Sequence, residues 1–268
     1  MRIGLLETDV LYDDLIKEYG SYGLMFEKYF SQLDSTQLDD STLEFAYYQV
    51  QQGELPLFLD ECDAYVITGS KAGAYEDHAW IKVLSDWIVE ADLAKAKVLG
   101  ICFGHQLIAH ALGGLVEMSD KGWGIGVRSL STIPDSPFSQ SLPKYLDLIY
   151  SHKDQVIKLP KQARNFLSND FCPHAGFTIG QHFVTFQGHP EFSAVYSERL
   201  LSRRAELIGE PTYSRGIDSL RHSTDANFIG RLILDFLRPA TIQLADKASA
   251  DSLQVNDESV PAAEEELN

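Results

Sequence analysis

The sequence predicts an α/β domain built around a doubly wound sheet, and three observations support this prediction. Residues 2–6 form an apolar run at the start of the chain, as expected for a buried first strand. Residues 77–94 place apolar side chains at helical spacing, which indicates a helix packed on a core. A further apolar run, 97–101, passes through Cys102 into a helical pattern. Strands that alternate with helices are typical of α/β domains.

The remaining segments before residue 190 continue this alternation. Apolar positions over residues 22–33 lie on one helical face, and residues 43–50 alternate weakly, which predicts the second strand. The segments 113–133 and 145–187 combine strand patterns with glycine turns, as expected for β-hairpins and crossover strands.

Two helices are predicted near the end of the domain, at residues 196–207 and 227–237, with Pro239 ending the second. The segment 206–221 contains glycines and a proline and is interpreted as a looser insertion without an assigned role. Residues 240–268 are acidic, rich in Ser, Ala and Gln, and free of aromatic side chains, which predicts a disordered tail. The predicted organisation is one domain over residues 1–239 followed by this tail.

Cys102 lies at the centre of a Gly-x-Cys-x-Gly turn between a predicted strand and a predicted helix. Gly100 and Gly104 allow a tight, strained turn where a side chain would clash. The turn lifts the sulfur out of the sheet and places it at a helix N-terminus, whose partial positive charge favours thiolate. Cys102 is therefore interpreted as a nucleophile; the alternative is a buried structural thiol.

Candidate partners for this thiolate lie downstream, where an alternating apolar strand ends in Gly-His-Pro-Glu. Because Pro190 fixes the backbone, His189 and Glu191 should project from a rigid turn at the strand end. His189 is suited to act as general base toward the thiol and then as acid toward a departing amine. Glu191 can accept a hydrogen bond from the other ring nitrogen and fix the tautomer.

With these motifs the chain resembles the class I, or triad-type, glutamine amidotransferases, in particular the amidotransferase domain of GMP synthase-like proteins. The resemblance covers roughly residues 40–195. It rests on four signatures in the expected order: the strand and glycine turn 63–70, the cysteine turn, the segment 150–156 and the Gly-His-Pro-Glu turn. The resemblance implies an open, mostly parallel, flavodoxin-like sheet with helices on both faces. It also implies that Cys102, His189 and Glu191 are nucleophile, base and orienting acid.

Attack of a thiolate on an amide carbonyl creates an oxyanion that needs N–H donors at the place where charge develops. The cysteine turn positions the backbone N–H of Phe103, and the Gly69-Ser70 turn can supply the second donor through Ser70. Many family members carry Gly-Gly-Pro where this chain has Gly69-Ser70-Lys71. The oxyanion role at Ser70 therefore requires a negative φ at a residue that carries a side chain.

Four residues are candidates for substrate binding. Gln106 follows the nucleophile by one helical turn and can face the same pocket, although a surface position on the helix is the alternative. By resemblance Gln106 would contact glutamine, and Gly69, Ser151 and His152 would line the same site. Lys153 stands where the family often has glycine; it could bind a carboxylate or be a solvated surface charge.

Composition limits the partners. Acidic residues outnumber basic ones by 39 to 22, and a net charge of −17 repels nucleic acid and anionic membranes. Three cysteines without a Cys-x-x-Cys pair support neither a zinc site nor a disulfide framework, and no cofactor or metal is expected. No apolar span of about 18 residues and no signal-peptide pattern is present, so a cytoplasmic location is expected.

The sequence leaves three functions open. The first is cleavage of the γ-amide of glutamine through a γ-glutamyl thioester, with ammonia passed to a separate synthetase, because no P-loop or other ATP-binding motif is present in this chain. The second is hydrolysis of other γ-glutamyl compounds, as in γ-glutamyl peptidases, which resemble this chain. The third is a non-catalytic regulatory module that kept the fold.

Overall fold

The residues described by this computed structural model, 1–34 and 43–238, are organised around one large mixed sheet and a small second sheet. The strands are β1 Arg2–Glu7, β2 Glu44–Gln49, β3 Ala64–Ile67, β4 Lys97–Ile101, β5 Leu115–Met118, β6 Gly124–Thr132, β7 Tyr145–His152, β8 Asp154–Lys158, β9 Ala163–Ser168, β10 Gly176–Ile179 and β11 Phe183–Phe186. The helices are α1 Asp13–Tyr19, α2 Tyr22–Asp34, α3 Ala79–Ala94, α4 Phe103–Ala111, α5 Ala194–Ser202, α6 Ala205–Ile208, α7 Thr212–Ser219 and α8 Ala226–Leu237.

Within the described residues the large sheet has the strand order β2-β1-β3-β4-β11-β10-β9-β6-β7. The first five strands in this order run parallel. The other four continue the sheet in antiparallel pairs, which accounts for the hairpins predicted from the sequence. The carboxyl ends of β3, β4 and β11 therefore meet at one edge, where open α/β sheets bind ligands. The predicted α/β class and mostly parallel sheet are confirmed.

Helices cover both faces of the sheet, and alternation along β1 shows how. Ile3 and Leu5 lie in a core with residues of α2 and α8, whereas Leu6 lies in a second core with residues of α3 and α4. Successive side chains of a strand point to opposite faces, so a continuous apolar run is what a strand covered on both sides requires. Each fully buried side chain of this kind contributes about 1.5–3 kcal/mol of transfer free energy.

The end of the domain departs from the sequence-based prediction in two places. The helix predicted at 196–207 is two helices, α5 and α6, interrupted at Arg203 and Arg204. The segment 206–221 is not a loose insertion, because it contains α7, which packs on β6. The oxygen of Ser219 accepts a hydrogen bond from the N–H of Val127 at 2.9 Å.

The residues that suggested a loop have other roles there. Gly209 has a φ of +74° and ends α6, and Pro211 immediately precedes α7. Gly216 packs so closely on β6 that a Cβ would lie 2.3 Å from the Cδ1 of Ile125. Glycine and proline mark element ends and close contacts as well as loops, and the sequence alone does not separate these uses.

The acidic segment 240–268 lies outside the described residues, and the domain boundary at residue 239 stays a prediction. In the part of the chain that the structure describes, no helix combines the length and the apolar character needed to cross a bilayer.

Replacing Gly126 in β6 tests the contact between α7 and the sheet. Its φ is +73°, and an added Cβ would lie 2.1 Å from the Oγ of Ser219 and 2.4 Å from the carbonyl oxygen of Gly216. We expect Gly126→Ala to lower the free energy of unfolding in urea by about 2–4 kcal/mol. Gly53→Ala is the matched control, because Gly53 has a φ of +85° and no neighbour within 4 Å. Equal losses in the two variants would contradict a close contact at Gly126.

Candidate active site

Cys102 lies between β4 and α4 in a backbone conformation that residues with a side chain rarely adopt. Its φ is +52° and its ψ is −98°. The neighbouring glycines are required, since a Cβ on Gly104 would lie 2.4 Å from the carbonyl oxygen of Ile67, and one on Gly100 would lie 2.8 Å from that of Gly104. Strain of this type occurs at functional turns that the surrounding structure holds in place.

Hydrogen bonds from adjacent strand ends hold the turn. The N–H of Cys102 donates to the carbonyl of Phe186 at 2.9 Å, and the N–H of Gly104 donates to the carbonyl of Thr68 at 3.2 Å. The turn is therefore tied to the ends of β11 and β3. Its sulfur lies at the N-terminus of α4, at the edge where these strands end.

His189 and Glu191 follow β11 and form a buried pair. The Nδ1 of His189 lies 2.8 Å from the Oε1 of Glu191, and the two side chains are 4% and 0% exposed. The N–H of His189 donates to the carbonyl of Ile149 at 2.8 Å, which fastens this turn to β7. The ring of Phe192 stacks on the imidazole with centroids 3.9 Å apart. The imidazole orientation is thus fixed on its face and on its Nδ1 side.

The charge state of His189 follows from its neighbours. Burial alone would lower the pKa of the imidazolium, but the Glu191 carboxylate and the hydrogen-bonded sulfur of Cys102 raise that pKa to about 10. The ring therefore holds its proton at neutral pH. The sequence predicts His189 as a base toward the thiol, and the raised pKa of the ring is the direction expected of a group that takes up a proton in this role.

The two predicted oxyanion donors lie beside Cys102. Phe103 is the first residue of α4, where N–H groups have no acceptor within the helix. Ser70 lines the same pocket as Cys102 and is not among the described residues with positive φ. Gly69 packs against the imidazole, since a Cβ there would lie 3.0 Å from the Cε1 of His189. A side chain at position 69 would therefore displace the imidazole of His189 from its present position.

A hydrogen-bond network fixes the Gly69-Ser70 turn. The hydroxyl of Thr8 donates to the carbonyl of Gly69 at 3.0 Å, and the hydroxyl of Ser70 donates to the carbonyl of Thr8 at 3.0 Å. The carboxylate of Asp9 accepts from the N–H of Lys71 at 2.8 Å. The residues that follow β1 thus position the predicted donor at Ser70, a role for Thr8 and Asp9 that no sequence motif indicates.

The three remaining sequence candidates, Gln106, Ser151 and His152, all line the pocket that contains Cys102. Gln106 is only 4% exposed, which rules out the surface position. Its amide donates to the carbonyl of Asp154 at 2.8 Å and to the Oε1 of Gln187 at 3.0 Å. The side-chain N–H groups of Gln106 therefore hold the pocket wall together rather than pointing free into the cavity.

His152 is buried and neutral. Burial lowers its pKa to about 3, and its Nδ1 lies 2.9 Å from the carbonyl oxygen of Asp154. The carbonyl of Asp154 therefore has two side-chain neighbours, His152 and Gln106. Together they hold the turn between β7 and β8 in place. Lys153, in that turn, also lines the pocket.

The pocket has a volume of about 420 Å³. Part of its wall comes from residues to which the sequence assigned no individual role in the site. These residues come from segments that are distant in the chain. They are Tyr12, Tyr75, Glu76, Trp123, Asp154, Arg203, Arg204 and Leu207. Several of them come together only through tertiary packing, since Tyr12 precedes α1, Trp123 precedes β6, and Arg203 and Arg204 lie between α5 and α6. Within the described residues no cluster of three or more metal-ligating side chains occurs.

Comparison with known proteins agrees with this geometry. The family model "Glutamine amidotransferase class-I" matches residues 51–204. The chain belongs to this family. Gamma-glutamyl peptidase 3 of Arabidopsis thaliana is 35% identical to it, over 66% of this chain and 71% of that protein. The GMP synthase of Thermotoga maritima is 32% identical over 54% of this chain and 27% of that protein.

A solved structure shares the fold of this amidotransferase-family protein. The glutamine amidotransferase TM1158 of Thermotoga maritima superposes with a TM-score of 0.71 at 22% identity, over 89% of this chain and 99% of that one. The matching segment 51–204 includes β3, β4 and β11 with the turns that follow them. It ends at Arg204, so all of α6 and α7 lie beyond it.

Substitution of Glu191 tests the charge state of the pair. Glu191→Gln is expected to lower the pKa of His189, because the carboxylate is a cause of its rise to about 10. A raised folded-state pKa stabilises the native state fully below the ordinary histidine pKa of about 6.5 and loses that contribution as the pH rises. For this pair the contribution should decline progressively above about pH 6.5 and be lost by about pH 10.

The measurement is a pH titration of the histidine ring signals by NMR, with wild type compared with Glu191→Gln. The exposed ring of His222 is the internal reference, since its signal should be the same in both proteins. A wild-type His189 signal that titrates near pH 6.5, unchanged in the variant, would contradict the assignment.

Proposed function

We propose that the protein is a cysteine hydrolase that cleaves the amide bond at the γ-carbonyl of γ-glutamyl compounds larger than glutamine. Membership of the class I glutamine amidotransferases supports the chemistry, and the similarity to a γ-glutamyl peptidase supports this substrate class. The observation that carries the proposal is the pocket beside Cys102. A volume of about 420 Å³ falls in the range of sites for drug-sized ligands and leaves room for a leaving group beyond the γ-glutamyl half.

The proposed reaction begins when Cys102, with its proton held by His189, attacks the γ-carbonyl carbon. A bond forms from sulfur to carbon, and the carbonyl electrons move to an oxygen that accepts hydrogen bonds from the N–H groups of Phe103 and Ser70. When this intermediate collapses, the carbon–nitrogen bond breaks and the amine leaves with the proton of His189. The product of this half-reaction is a γ-glutamyl thioester on Cys102.

The second half-reaction returns the enzyme to its starting state. The ring of His189, now neutral, takes a proton from water, and the resulting hydroxide attacks the thioester carbon. The carbon–sulfur bond breaks, glutamate leaves, and the sulfur again faces a protonated ring. Glu191 acts throughout on His189, because its carboxylate stabilises the imidazolium and fixes the Nδ1 side of the ring.

The second candidate is hydrolysis of glutamine itself, with ammonia delivered to a separate synthetase subunit. It is favoured by the match to the glutamine-hydrolysing GMP synthase of Thermotoga maritima over 54% of this chain. The chemical steps are the same, and the leaving amine is then ammonia. The two candidates differ only in what the pocket accepts on the leaving-group side.

The deciding experiment compares kcat/KM for L-glutamine, glutathione and a set of γ-glutamyl dipeptides. We expect the γ-glutamyl peptides to be cleaved with the higher kcat/KM. A higher value for glutamine would overturn the proposal in favour of the ammonia-releasing enzyme. If none of these substrates were turned over in a Cys102-dependent way, both enzymatic candidates would be excluded. The remaining function would then be the non-catalytic regulatory module.

Three substitutions test the proposed roles in this assay. Cys102→Ala and His189→Ala should each abolish turnover, because the nucleophile and its proton carrier act as a unit. Glu191→Ala should retain a residual activity, about tenfold or more above the other two, since it acts only through His189. Cys62→Ser is the matched control, because Cys62 is a buried thiol that precedes β3, whereas the Cys102 turn is tied to Thr68 after the carboxyl end of β3. A fully active Cys102→Ala enzyme would exclude the mechanism.

A further inference from the structure

Arg204 is a cation in the pocket wall that has no acidic partner within the described part of the chain. It lies between α5 and α6, is half-buried, and lines the pocket together with Cys102. Among residues 1–34 and 43–238, no carboxylate forms an ion pair with its guanidinium. A partly buried charge that no protein group neutralises is available to a charged ligand.

Two other cations of the pocket are already neutralised. Arg203 forms an ion pair with Asp14 of α1. Lys71 lies 3.1 Å from the carboxylate of Asp9 and also donates to a backbone carbonyl at 2.8 Å. Neither is free to bind an anion without giving up its present partner. Arg204 therefore differs from its sequence neighbour in what its charge can do.

Neutral groups hold the Arg204 side chain in position. Its NH1 donates to the hydroxyl of Ser151 at 3.0 Å, and its guanidinium carbon lies 5.8 Å from the centroid of the Trp123 ring. A guanidinium has five N–H donors in a planar fork that matches a carboxylate. The contacts with Ser151 and Trp123 orient the guanidinium of Arg204. Because both partners are uncharged, they do not neutralise its positive charge.

The acidic groups of the pocket form a separate cluster around Gly73. A Cβ built on Gly73 would lie 3.1 Å from the carboxylate of Asp154, 3.3 Å from that of Glu76 and 3.3 Å from the ring of Tyr75. Lys153, the fourth cation of the pocket, immediately precedes Asp154. An anionic ligand group would be repelled by this cluster and attracted by Arg204.

We propose that Arg204 binds a carboxylate on the leaving-group side of the substrate, so that the enzyme prefers γ-glutamyl peptides with a free C-terminal carboxylate. This inference rests on the proposed function, since it assigns a partner to the part of the substrate that glutamine lacks. It also gives a role to the turn between α5 and α6, where the family match ends at residue 204. Arg204 is here a specificity-determining residue and takes no part in bond cleavage.

The test compares γ-glutamyl-alanine with γ-glutamyl-alaninamide, two substrates of nearly equal size that differ in the terminal charge. We expect wild type to have a kcat/KM at least about tenfold higher for the free acid, as a charge-assisted hydrogen bond predicts. Arg204→Gln should lose this preference, because its kcat/KM should fall for γ-glutamyl-alanine and stay unchanged for γ-glutamyl-alaninamide. Arg204→Lys, which keeps the charge but loses the fork, should retain an intermediate preference.

Turnover of the amide substrate keeps the test independent of folding, because it reports the active fraction of each variant. Lys153→Gln is the matched control and should keep the wild-type preference. An equal loss on acid and amide in Arg204→Gln would overturn the inference, since Arg204 would then serve the γ-glutamyl half or the fold. An acid preference lost in Lys153→Gln instead would also overturn it. Failure of every γ-glutamyl substrate in wild type would refute the proposed function itself.

Discussion

The strained backbone at Cys102 is the constraint on which the rest of the site depends. A residue with a side chain holds a φ of +52° there because two strand ends fix the turn through hydrogen bonds and because Gly100 and Gly104 leave no side chain in the way. Such strain costs about 1–3 kcal/mol. The parallel order of β3, β4 and β11 offsets this cost, since it supplies both acceptors at one edge.

The same topology explains why the buried pair of His189 and Glu191 is tolerated. Removing two charges from water is costly unless each meets an opposite charge in good geometry. Here the carboxylate faces the ring at 2.8 Å, and the ring faces the sulfur of Cys102 on its other side. Each group is therefore compensated by its neighbours. The backbone hydrogen bond from the N–H of His189 to the carbonyl of Ile149 holds the pair against β7, in the antiparallel half of the sheet.

Most of the fold, and the meeting of Cys102, His189 and Glu191 at one edge of the sheet, could be predicted from the sequence because they are encoded in short segments. The apolar run of β1, the glycines around Cys102 and the proline after His189 each have a local physical meaning. The pocket wall could not be predicted, since Arg204, Trp123 and Tyr12 become neighbours only through tertiary packing. The segment 206–221 was misjudged for a related reason: Gly216 serves a close contact with Ile125, which no neighbouring residue in the sequence reveals. The catalytic roles of the predicted residues stay predictions.

The site has two parts that differ in how well they should tolerate amino-acid substitutions. Cys102, Gly69 and His189 pack on one another within a few ångströms, so substitution of any one disturbs the others. The wall that includes Arg204 and Leu207 depends instead on α5 and α6, and the side chain of Leu207 is 75% exposed. Changes in that wall would alter the pocket beside Cys102 while the strand ends that hold Cys102 remain intact. Under the proposed function, the wall formed by α5 and α6 would select the leaving group, while Cys102 and His189 would carry out the same chemical steps on either substrate class.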